Sequence, residues 1–251
     1  MRLGALLGPV TDGAACDTLA AQARRYAAEG FAGLWSGHAV GRGMMVTDPF
    51  LTLAVAASVT DGIEIGSAVI QVPLYHPAEL AHRVLSLQQI CGDRLTLGVG
   101  AGSSEKDYQA FGRDFGRRFN GLEESVAALR DAYASVGTLN GTLTPWPGLP
   151  SAPRLYLGSW GKGVERAARD YDGWIASGHY RSVEEVADAA RRYREAGGGR
   201  AIVSTLILDA RTDLTELGER FSRFAEAGFD DAVVMFHPGS PEPAAVRRLV
   251  D

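Results

Sequence analysis

The stretch Ile63–Ser104 restricts the possible folds most, because it reads as strand, helix, strand and glycine-rich loop in direct succession. Ile63–Val72 is a short apolar run rich in β-branched residues, which is typical of a strand buried on both faces. Pro77 begins a segment with apolar residues at helical spacing, and Arg94–Val99 is a second apolar strand. Two buried strands joined by a helix form a parallel βαβ unit, whose following loop lies at the carboxyl end of the sheet. That end carries the functional site in α/β proteins.

The same alternation runs along the whole chain and predicts eight strands separated by eight helical segments. The expected strands are Arg2–Gly8, Phe31–Trp35, Ile63–Val72, Arg94–Val99, Arg154–Gly158, Gly173–Ser177, Ala201–Leu208 and Asp231–Phe236. In a chain of 251 residues this pattern favours a single-domain (β/α)8 TIM barrel covering residues 1–251, of a short kind with reduced insertions. A dinucleotide-binding (Rossmann) fold is disfavoured, because no GxGxxG turn follows the first strand.

Composition excludes several classes of protein. The net charge of -5 is spread over mixed acidic and basic residues, which argues against a nucleic-acid-binding face. The two cysteines, Cys16 and Cys91, make no disulfide framework, and no Cys/His cluster has the spacing of a metal site. The amino terminus lacks the features of a signal peptide, and no apolar stretch is long enough to span a membrane. We therefore expect a cytoplasmic protein without a metal.

The residues that follow the expected strands form a small, polar rim with few charges. His38 follows the second strand and is the best candidate for proton transfer near neutral pH, although a hydrogen-bonded rim histidine explains it equally well. Gly158–Gly163 is a glycine-rich turn into a helix and could cradle a phosphate, or be an ordinary turn with a solvated Lys162. For Gly98–Gly102 close packing is the favoured explanation. His179 and His237 are interpreted as incidental. Such a rim indicates that a bound cofactor carries the chemistry.

Three segments resemble the bacterial-luciferase-like family of flavin monooxygenases and deazaflavin reductases, and the resemblance extends over nearly the whole chain. They are GSAVIQVPLYHPAELAHRVLSLQQICGDRLTLGVGAG, LWSGH after the second strand, and LYLGSWGKGVERAARDYDGWIAS across the fifth and sixth strands. The resemblance implies a (β/α)8 barrel that binds FMN or the deazaflavin coenzyme (F-420 type) at its carboxyl-end rim. It also implies His38 beside the cofactor ring and a cis peptide bond between Ala68 and Val69.

The resemblance extends to a set of cofactor-binding residues. Those expected near the ring are Ser67, Ala68, Val69, Gly100, Ala101, Gly102 and Ser103. Those expected at the phosphate are Gly158, Ser159, Trp160, Gly161, Lys162, Gly163, Ser177 and Gly178. Two departures from the family pattern are visible. The lid over the substrate is reduced to Gly137–Pro153, and no acidic residue precedes His38.

Several functions remain open at this point. A single His38 followed by Ala39, and a composition in which arginine far outnumbers lysine, favour deazaflavin-dependent hydride transfer to or from a small organic substrate. The alternatives are an FMN-dependent monooxygenase supplied by a partner reductase and a non-catalytic flavin-binding barrel. A cofactor-free lyase is disfavoured, because the rim offers no carboxylate pair. The family resemblance implies a homodimer through Phe50–Val59 and Ala78–Ile90. Four residues suggest an apolar substrate pocket: Met44, Met45, Phe111 and Trp146.

Overall fold

A computed structural model describes residues 1–8, 18–43, 46–134, 148 and 151–250. In this part of the chain the strands are β1 (Arg2–Leu7), β2 (Gly33–Ser36), β3 (Glu64–Ser67), β4 (Ile70–Gln71), β5 (Leu95–Gly100), β6 (Arg154–Gly158), β7 (Gly173–Ser177), β8 (Arg200–Leu208) and β9 (Asp231–Phe236). They form one parallel sheet in the order β3-β2-β1-β9-β8-β7-β6-β5-β4, and a further pairing of β3 with β5 closes it. Because β3 and β4 both pair with β5, they are two parts of one barrel strand. The predicted eight-stranded (β/α)8 barrel is thus confirmed.

The third expected strand is wrong as a continuous element. Ile63–Val72 breaks after Ser67, where the peptide bond between Ala68 and Val69 is cis, and it resumes as β4. A 3-10 turn, Val72–Leu74, then takes the chain out of the sheet. An apolar run cannot reveal such a break, because every residue type in it suits a strand.

The described helices lie outside the barrel and follow the predicted segments closely. They are α1 (Leu19–Ala28), α2 (Pro49–Val59), α3 (Pro77–Cys91), α4 (Glu105–Ala110), α5 (Arg118–Ala134), α6 (Gly163–Asp170), α7 (Val183–Glu195), α8 (Leu214–Glu226) and α9 (Pro243–Arg247). The carboxylate of Asp48 accepts hydrogen bonds from the first N–H groups of α2, and the imidazole of His76 caps α3 in the same way. The short α4 lies in a segment that sequence predicts only as irregular or partly helical. No described helix combines the length and apolar character that a membrane crossing needs.

Two large rings fill the interior of the barrel, and glycines on neighbouring strands make room for them. Trp35 and Tyr156 are each 1% exposed and belong to the interior cluster. A Cβ atom on Gly66 would lie 2.4 Å from the indole, and one on Gly4 would lie 2.5 Å from it. A Cβ on Gly173 would lie 2.3 Å from the phenol ring of Tyr156. Interiors packed to this density leave no space for even one additional methyl group.

An ion cluster closes the amino-terminal end of the barrel. Arg200 donates to Glu64 at 2.6 and 2.8 Å and to Asp231 at 2.7 Å, and Arg2 lies 2.8 Å from Asp231. Burial disfavours the charged form of Arg200, but its two carboxylate partners outweigh that effect and raise the pKa of the guanidinium. Burial likewise opposes ionisation of Glu64, whose pKa is nevertheless lowered by its hydrogen bonds from Arg200 and Thr96. This cluster leaves the carboxyl-terminal mouth as the end at which a ligand could enter.

Candidate functional site

Val69 stands on the floor of the carboxyl-terminal mouth. Its side chain is half-buried and packs on the interior cluster that contains Ala68. A Cβ atom on Gly100 would lie 2.8 Å from Val69 Cγ2, and one on Gly158 would lie 2.6 Å from Val69 Cγ1. The cis peptide bond that the family resemblance places before Val69 is present. The two glycines therefore create the space that this side chain occupies.

In the glycine-rich loop after β5, glycines likewise leave space for atoms of neighbouring residues. A Cβ atom on Gly98 would lie 2.1 Å from the carbonyl oxygen of Ser67. Gly102 has a φ of +77°, and a Cβ there would lie 2.1 Å from Oε1 of Gln71. Ala101 is buried, and its carbonyl accepts a hydrogen bond of 2.5 Å from the hydroxyl of Tyr108. The close-packing explanation of Gly98–Gly102 is thus confirmed, and Ser103 is the exposed member of this loop.

His38 follows β2 and lies within an aromatic cluster at the mouth. Its ring centroid is 5.6 Å from that of Tyr75 and 6.2 Å from that of Phe111, which is 44% exposed. Its Nδ1 atom is buried and has no hydrogen-bond partner among the described residues. Burial lowers the pKa of the imidazole, an effect that Asp48 and Asp107 oppose and Arg42 reinforces. The ring is therefore mainly neutral at pH 7 and offers one donor and one acceptor nitrogen.

Asp107 is a buried carboxylate that sequence reasoning missed, and it connects α4 to the loop after β2 and to the end of β4. Asp107 on α4 is fully buried and accepts hydrogen bonds from the backbone of Val40 and Gly41 and from the side chains of Arg42 and Gln71. Burial alone would raise the pKa of Asp107, but these donors lower it to about 2. The local sequence gives no signal for this role, because the neighbouring charged residues on α4 are exposed.

The turn between β6 and α6 keeps some of the free N–H groups that a phosphate cradle requires. The N–H groups of Gly163 and Val164 are engaged, donating to the carbonyls of Trp160 and Gly161 at 3.1 and 3.2 Å. The four N–H groups from Ser159 to Lys162 have no acceptor among the described residues. Ser159 Oγ donates to the carbonyl of Gly163 at 2.7 Å, and the side chain of Lys162 is exposed. An anion could therefore bind the turn itself more readily than the first residues of the helix.

The loop after β7 carries a cation that the sequence did not reveal. The N–H of Gly178 donates to Ser204 and its carbonyl accepts from Arg220, so its backbone groups are already engaged. Arg220 has no carboxylate partner in the described part of the chain, its Nε is buried without a partner, and burial lowers its pKa. The half-buried Ser177 accepts only a 3.4 Å hydrogen bond, from the N–H of His179. An uncompensated positive charge thus lies beside Ser177 and Gly178, where the resemblance places the phosphate.

Other predicted residues are less informative. His179 is exposed, whereas Nε2 of His237 is buried without a partner among the described residues. Met44, Met45 and Trp146 lie outside the described residues, as does the reduced lid except for residues 148 and 151–153. A cavity of about 400 Å³ lies at the opposite end of the barrel, between α3, α5 and α6; Ala152 and Pro153 of the expected lid line it, but none of the expected catalytic or cofactor-binding residues does. The convergent polar groups therefore favour the mouth as the candidate site.

Comparison with known sequences places the chain beside flavin enzymes. Residues 3–208 match the profile of a family described as luciferase-like monooxygenase. The 4-hydroxyprotoasukamycin monooxygenase of Streptomyces nodosus subsp. asukaensis is 40% identical over 87 residues, which are 34% of this chain and only 23% of that enzyme. An uncharacterised protein of Mycobacterium tuberculosis is 27% identical over 222 residues, 83% of this chain and 77% of that protein.

Solved structures show the same barrel. The monooxygenase RslO1 from Streptomyces bottropensis has a TM-score of 0.74 at 20% identity, with 99% of this chain and 97% of that one covered. The oxygenating constituent of 3,6-diketocamphane monooxygenase from Pseudomonas putida, in complex with FMN, has a TM-score of 0.66 at 18% identity, covering 88% and 70%. The coenzyme F-420-dependent tetrahydromethanopterin reductase of Methanopyrus kandleri reaches 0.69 at 14% identity, covering 99% and 96%. At these identities the likeness establishes the fold alone.

Proposed function

Since the chain belongs to the luciferase-like monooxygenase family, whose members are flavin-dependent oxidoreductases and monooxygenases, we propose that it is a deazaflavin-dependent oxidoreductase. It transfers a hydride between a deazaflavin coenzyme (F-420 type) and a small organic substrate. The observation that carries this proposal is His38, a mainly neutral imidazole at the mouth whose buried Nδ1 has no hydrogen-bond partner among the described residues. A similar structure, the reductase of Methanopyrus kandleri, uses coenzyme F-420 by its description.

The residues at the mouth fit a planar cofactor with an anionic tail. Val69 and Ala68 offer a flat apolar surface for the ring, and the loop from Gly100 to Ser103 would flank it. The free N–H groups from Ser159 to Lys162 and the unpaired guanidinium of Arg220 would hold a phosphate. Such a cofactor would supply hydride chemistry at the mouth, and His38 would donate or accept the accompanying proton at its ring nitrogen.

A second candidate function is an FMN-dependent monooxygenase that receives reduced flavin from a separate reductase. Two observations support it. The family is described as monooxygenases, and one similar protein, 26% identical over 128 residues, is the oxygenase component of a flavin-dependent trigonelline monooxygenase from Acinetobacter baylyi. That match covers 36% of the relative, so its substrate and partner do not transfer directly to this chain. The flat floor at Val69 suits either ring.

Titration of the purified protein with FMN and with coenzyme F-420 separates these functions. The four tryptophans report binding by quenching of their fluorescence, and a panel of carbonyl, imine and quinone substrates reports turnover. We expect F-420 to bind at micromolar protein, and His38→Gln to lower turnover roughly 100-fold or more without preventing binding. The exposed His179→Gln is the matched control and should leave turnover unchanged. Failure of both cofactors to bind would refute the proposal, and binding without any turnover would favour a non-catalytic barrel.

We also propose that the protein forms a homodimer through α2 and α3. The helix Pro49–Val59 contains no charged residue, and its Leu51 is 63% exposed. On α3, Ile90 is 48% exposed. A surface helix that is apolar on its outer face needs a partner to cover it. Light scattering should therefore give the mass of a dimer, and Leu51→Glu should shift it to monomer, whereas Ser222→Glu on α8 should not.

A further inference from the structure

The candidate site depends on contacts between a loop, a helix and a strand end that are distant in sequence. One loop, His38–Arg42, follows β2 and carries the histidine. A second element is α4, which follows β5, and the third is β4, which ends at Gln71. The two Oδ atoms of Asp107 divide these contacts: Oδ1 accepts from the N–H of Val40 at 3.2 Å and of Gly41 at 2.9 Å. Oδ2 accepts from Arg42 at 2.9 and 2.7 Å and from Gln71 at 2.8 Å.

The amide of Gln71 extends this network to the histidine itself. Its Nε2 group donates to Asp107 and also, at 2.8 Å, to the backbone carbonyl of His38. The carboxylate therefore contacts the loop directly at Val40, Gly41 and Arg42, and through Gln71 it also holds the carbonyl of residue 38. A fully buried carboxylate that accepts five hydrogen bonds, two of them from a guanidinium, holds its partners strongly.

Two glycines allow the His38–Arg42 loop to lie against α4 and Gln71 to lie against the loop after β5. A Cβ atom on Gly41 would lie 2.2 Å from the backbone oxygen of Lys106 and 3.0 Å from the backbone nitrogen of Asp107. A Cβ on Gly102 would lie 2.1 Å from Oε1 of Gln71. Because Gly41 meets backbone atoms, the helix cannot give way by rotating a side chain. The approach of the His38 loop to α4 thus depends on both a charge and the absence of a side chain.

From these contacts we infer that Asp107 is a positioning residue for His38: it holds the loop His38–Arg42 against α4 and keeps the imidazole packed between Tyr75 and Phe111. Phe111 is part of the same arrangement, because it directly follows α4 and contacts the histidine ring. Loosening the carboxylate would release both sides of the aromatic cluster together. The inference deepens the proposed function, since it concerns the proposed catalytic group, but the contacts themselves do not require a cofactor.

The titration of His38 distinguishes this role from a purely electrostatic one. The charged and titratable groups that face the imidazole are Asp48 before α2, Asp107 on α4, Arg42 on its own loop and Tyr75 after β4. If the loop stayed in place, Asp107→Asn would remove a favourable negative charge and unmask Arg42, so the pKa of His38 would fall. If the loop is released, the ring gains water, the burial effect on its pKa is relieved, and the pKa rises.

The experiment is an NMR pH titration of the five histidines in the whole protein without cofactor, with His38→Gln used to assign the signal of His38. We expect Asp107→Asn to raise the pKa of His38 by roughly 0.5 unit or more. Gly41→Ala, which removes no charge, should raise it in the same direction. Asp114→Asn is the matched control, because that exposed carboxylate accepts only from the N–H of Gly116 and should leave His38 unchanged.

Circular dichroism at the start of each titration establishes that the variants are folded. A fall or no change in the pKa of His38 in either Asp107→Asn or Gly41→Ala overturns the inference. If both variants raise the pKa but neither FMN nor F-420 binds the wild-type protein, Asp107 keeps its positioning role and the proposed function fails. If Gly41→Ala unfolds, Gly102→Ala replaces it in the experiment. A methyl group on Gly102 would collide with the amide of Gln71, which contacts both Asp107 and the His38 carbonyl.

Discussion

Val69 packs between two glycines at the floor of the mouth. We therefore predict that a methyl group added to one of these glycines destabilises the protein, and that shortening Val69 offsets the loss. A methyl group placed on Gly158 would lie 2.6 Å from Val69 Cγ1, about 0.8 Å short of ordinary van der Waals contact, which begins at 3.4 Å. Gly158 has no left-handed φ, so the cost of Gly158→Ala is steric. Overpacking of this kind lowers the free energy of unfolding by typically 1–3 kcal/mol, and we expect roughly 2 kcal/mol here.

Val69→Ala removes Cγ1 and Cγ2, which the new methyl group would meet at 2.6 and 3.1 Å, and leaves only Cβ of residue 69, at 3.3 Å. Because Val69 is half-buried, this single change should cost only about 1 kcal/mol. The double variant should then recover most of the loss from Gly158→Ala, giving a coupling energy of roughly 1–2 kcal/mol. Urea unfolding at 25 °C, followed by tryptophan fluorescence and by circular dichroism, measures all four corners of the cycle. The dependence of the unfolding free energy on urea should be equal in the four proteins.

Additive single effects, with no coupling beyond about 0.5 kcal/mol, would contradict the steric reasoning. A matched cycle between Val69→Ala and Gly198→Ala provides the control, because a Cβ on Gly198 would lie 2.5 Å from the ring of Tyr193, which is outside the interior cluster that Val69 packs on. That cycle should be additive. Cofactor titration of the single variant Val69→Ala then reports function separately, since weakened binding by this folded variant would assign Val69 a role in supporting the ring.

Three further variants test the charges and the backbone. Asp107 has a pKa of about 2 against an ordinary 3.8, so it contributes about 2 kcal/mol of stability above pH 4, which is lost as the pH falls through 2. Asp107→Asn should therefore lower the unfolding free energy at pH 7 but much less at pH 2.5, measured by urea unfolding. Arg200→Met leaves Arg2 as the cation beside Glu64 and Asp231, and should cost about 3 kcal/mol at pH 7, the lower end of the range for a broken buried pair, and less at pH 4. Thr205, a β-branched residue with a φ of 60°, should tolerate Thr205→Asn with an unchanged or higher Tm in a thermal scan.

Local sequence patterns were sufficient to predict most of the strands and helices and where they begin. The barrel followed from the alternation of apolar runs and helical segments, because each such run is buried on both faces and has few other folds available. Pro77 predicted the start of α3, and the caps Asp48 and His76 bind N–H groups no more than three residues away, so the signal for a helix start is local in sequence. The break inside Ile63–Val72 was invisible in the apolar pattern alone, and only the family resemblance located its cis peptide bond.

Long-range partners explain what the sequence did not reveal. Asp107 lies 65 residues from Arg42 and 36 from Gln71, so no window of sequence contains the donors that make its burial possible. Arg220 reaches the carbonyl of Gly178 across 42 residues, and only the folded chain shows that no carboxylate of the described residues pairs with it. The rim therefore carries more charge than its composition predicts, and the expectation of a rim with few charged groups was incomplete.

The two glycine-rich loops, after β5 and after β6, show how a glycine that makes room for protein atoms differs from one that leaves room for an anion. A glycine that makes room for a side chain has a Cβ position occupied by protein, as at Gly98, Gly100 and Gly102. A glycine that serves an anion needs an open Cβ position and free N–H groups nearby, and Gly161 meets this description: its φ is +60° and nothing lies within 4 Å. N–H groups without an acceptor among the described residues occur in both loops, at 102–104 and at 159–162, but of these four glycines only Gly161 has an open Cβ position. For this reason we expect Gly161→Ala to weaken the binding of a phosphorylated cofactor while Gly100→Ala lowers stability.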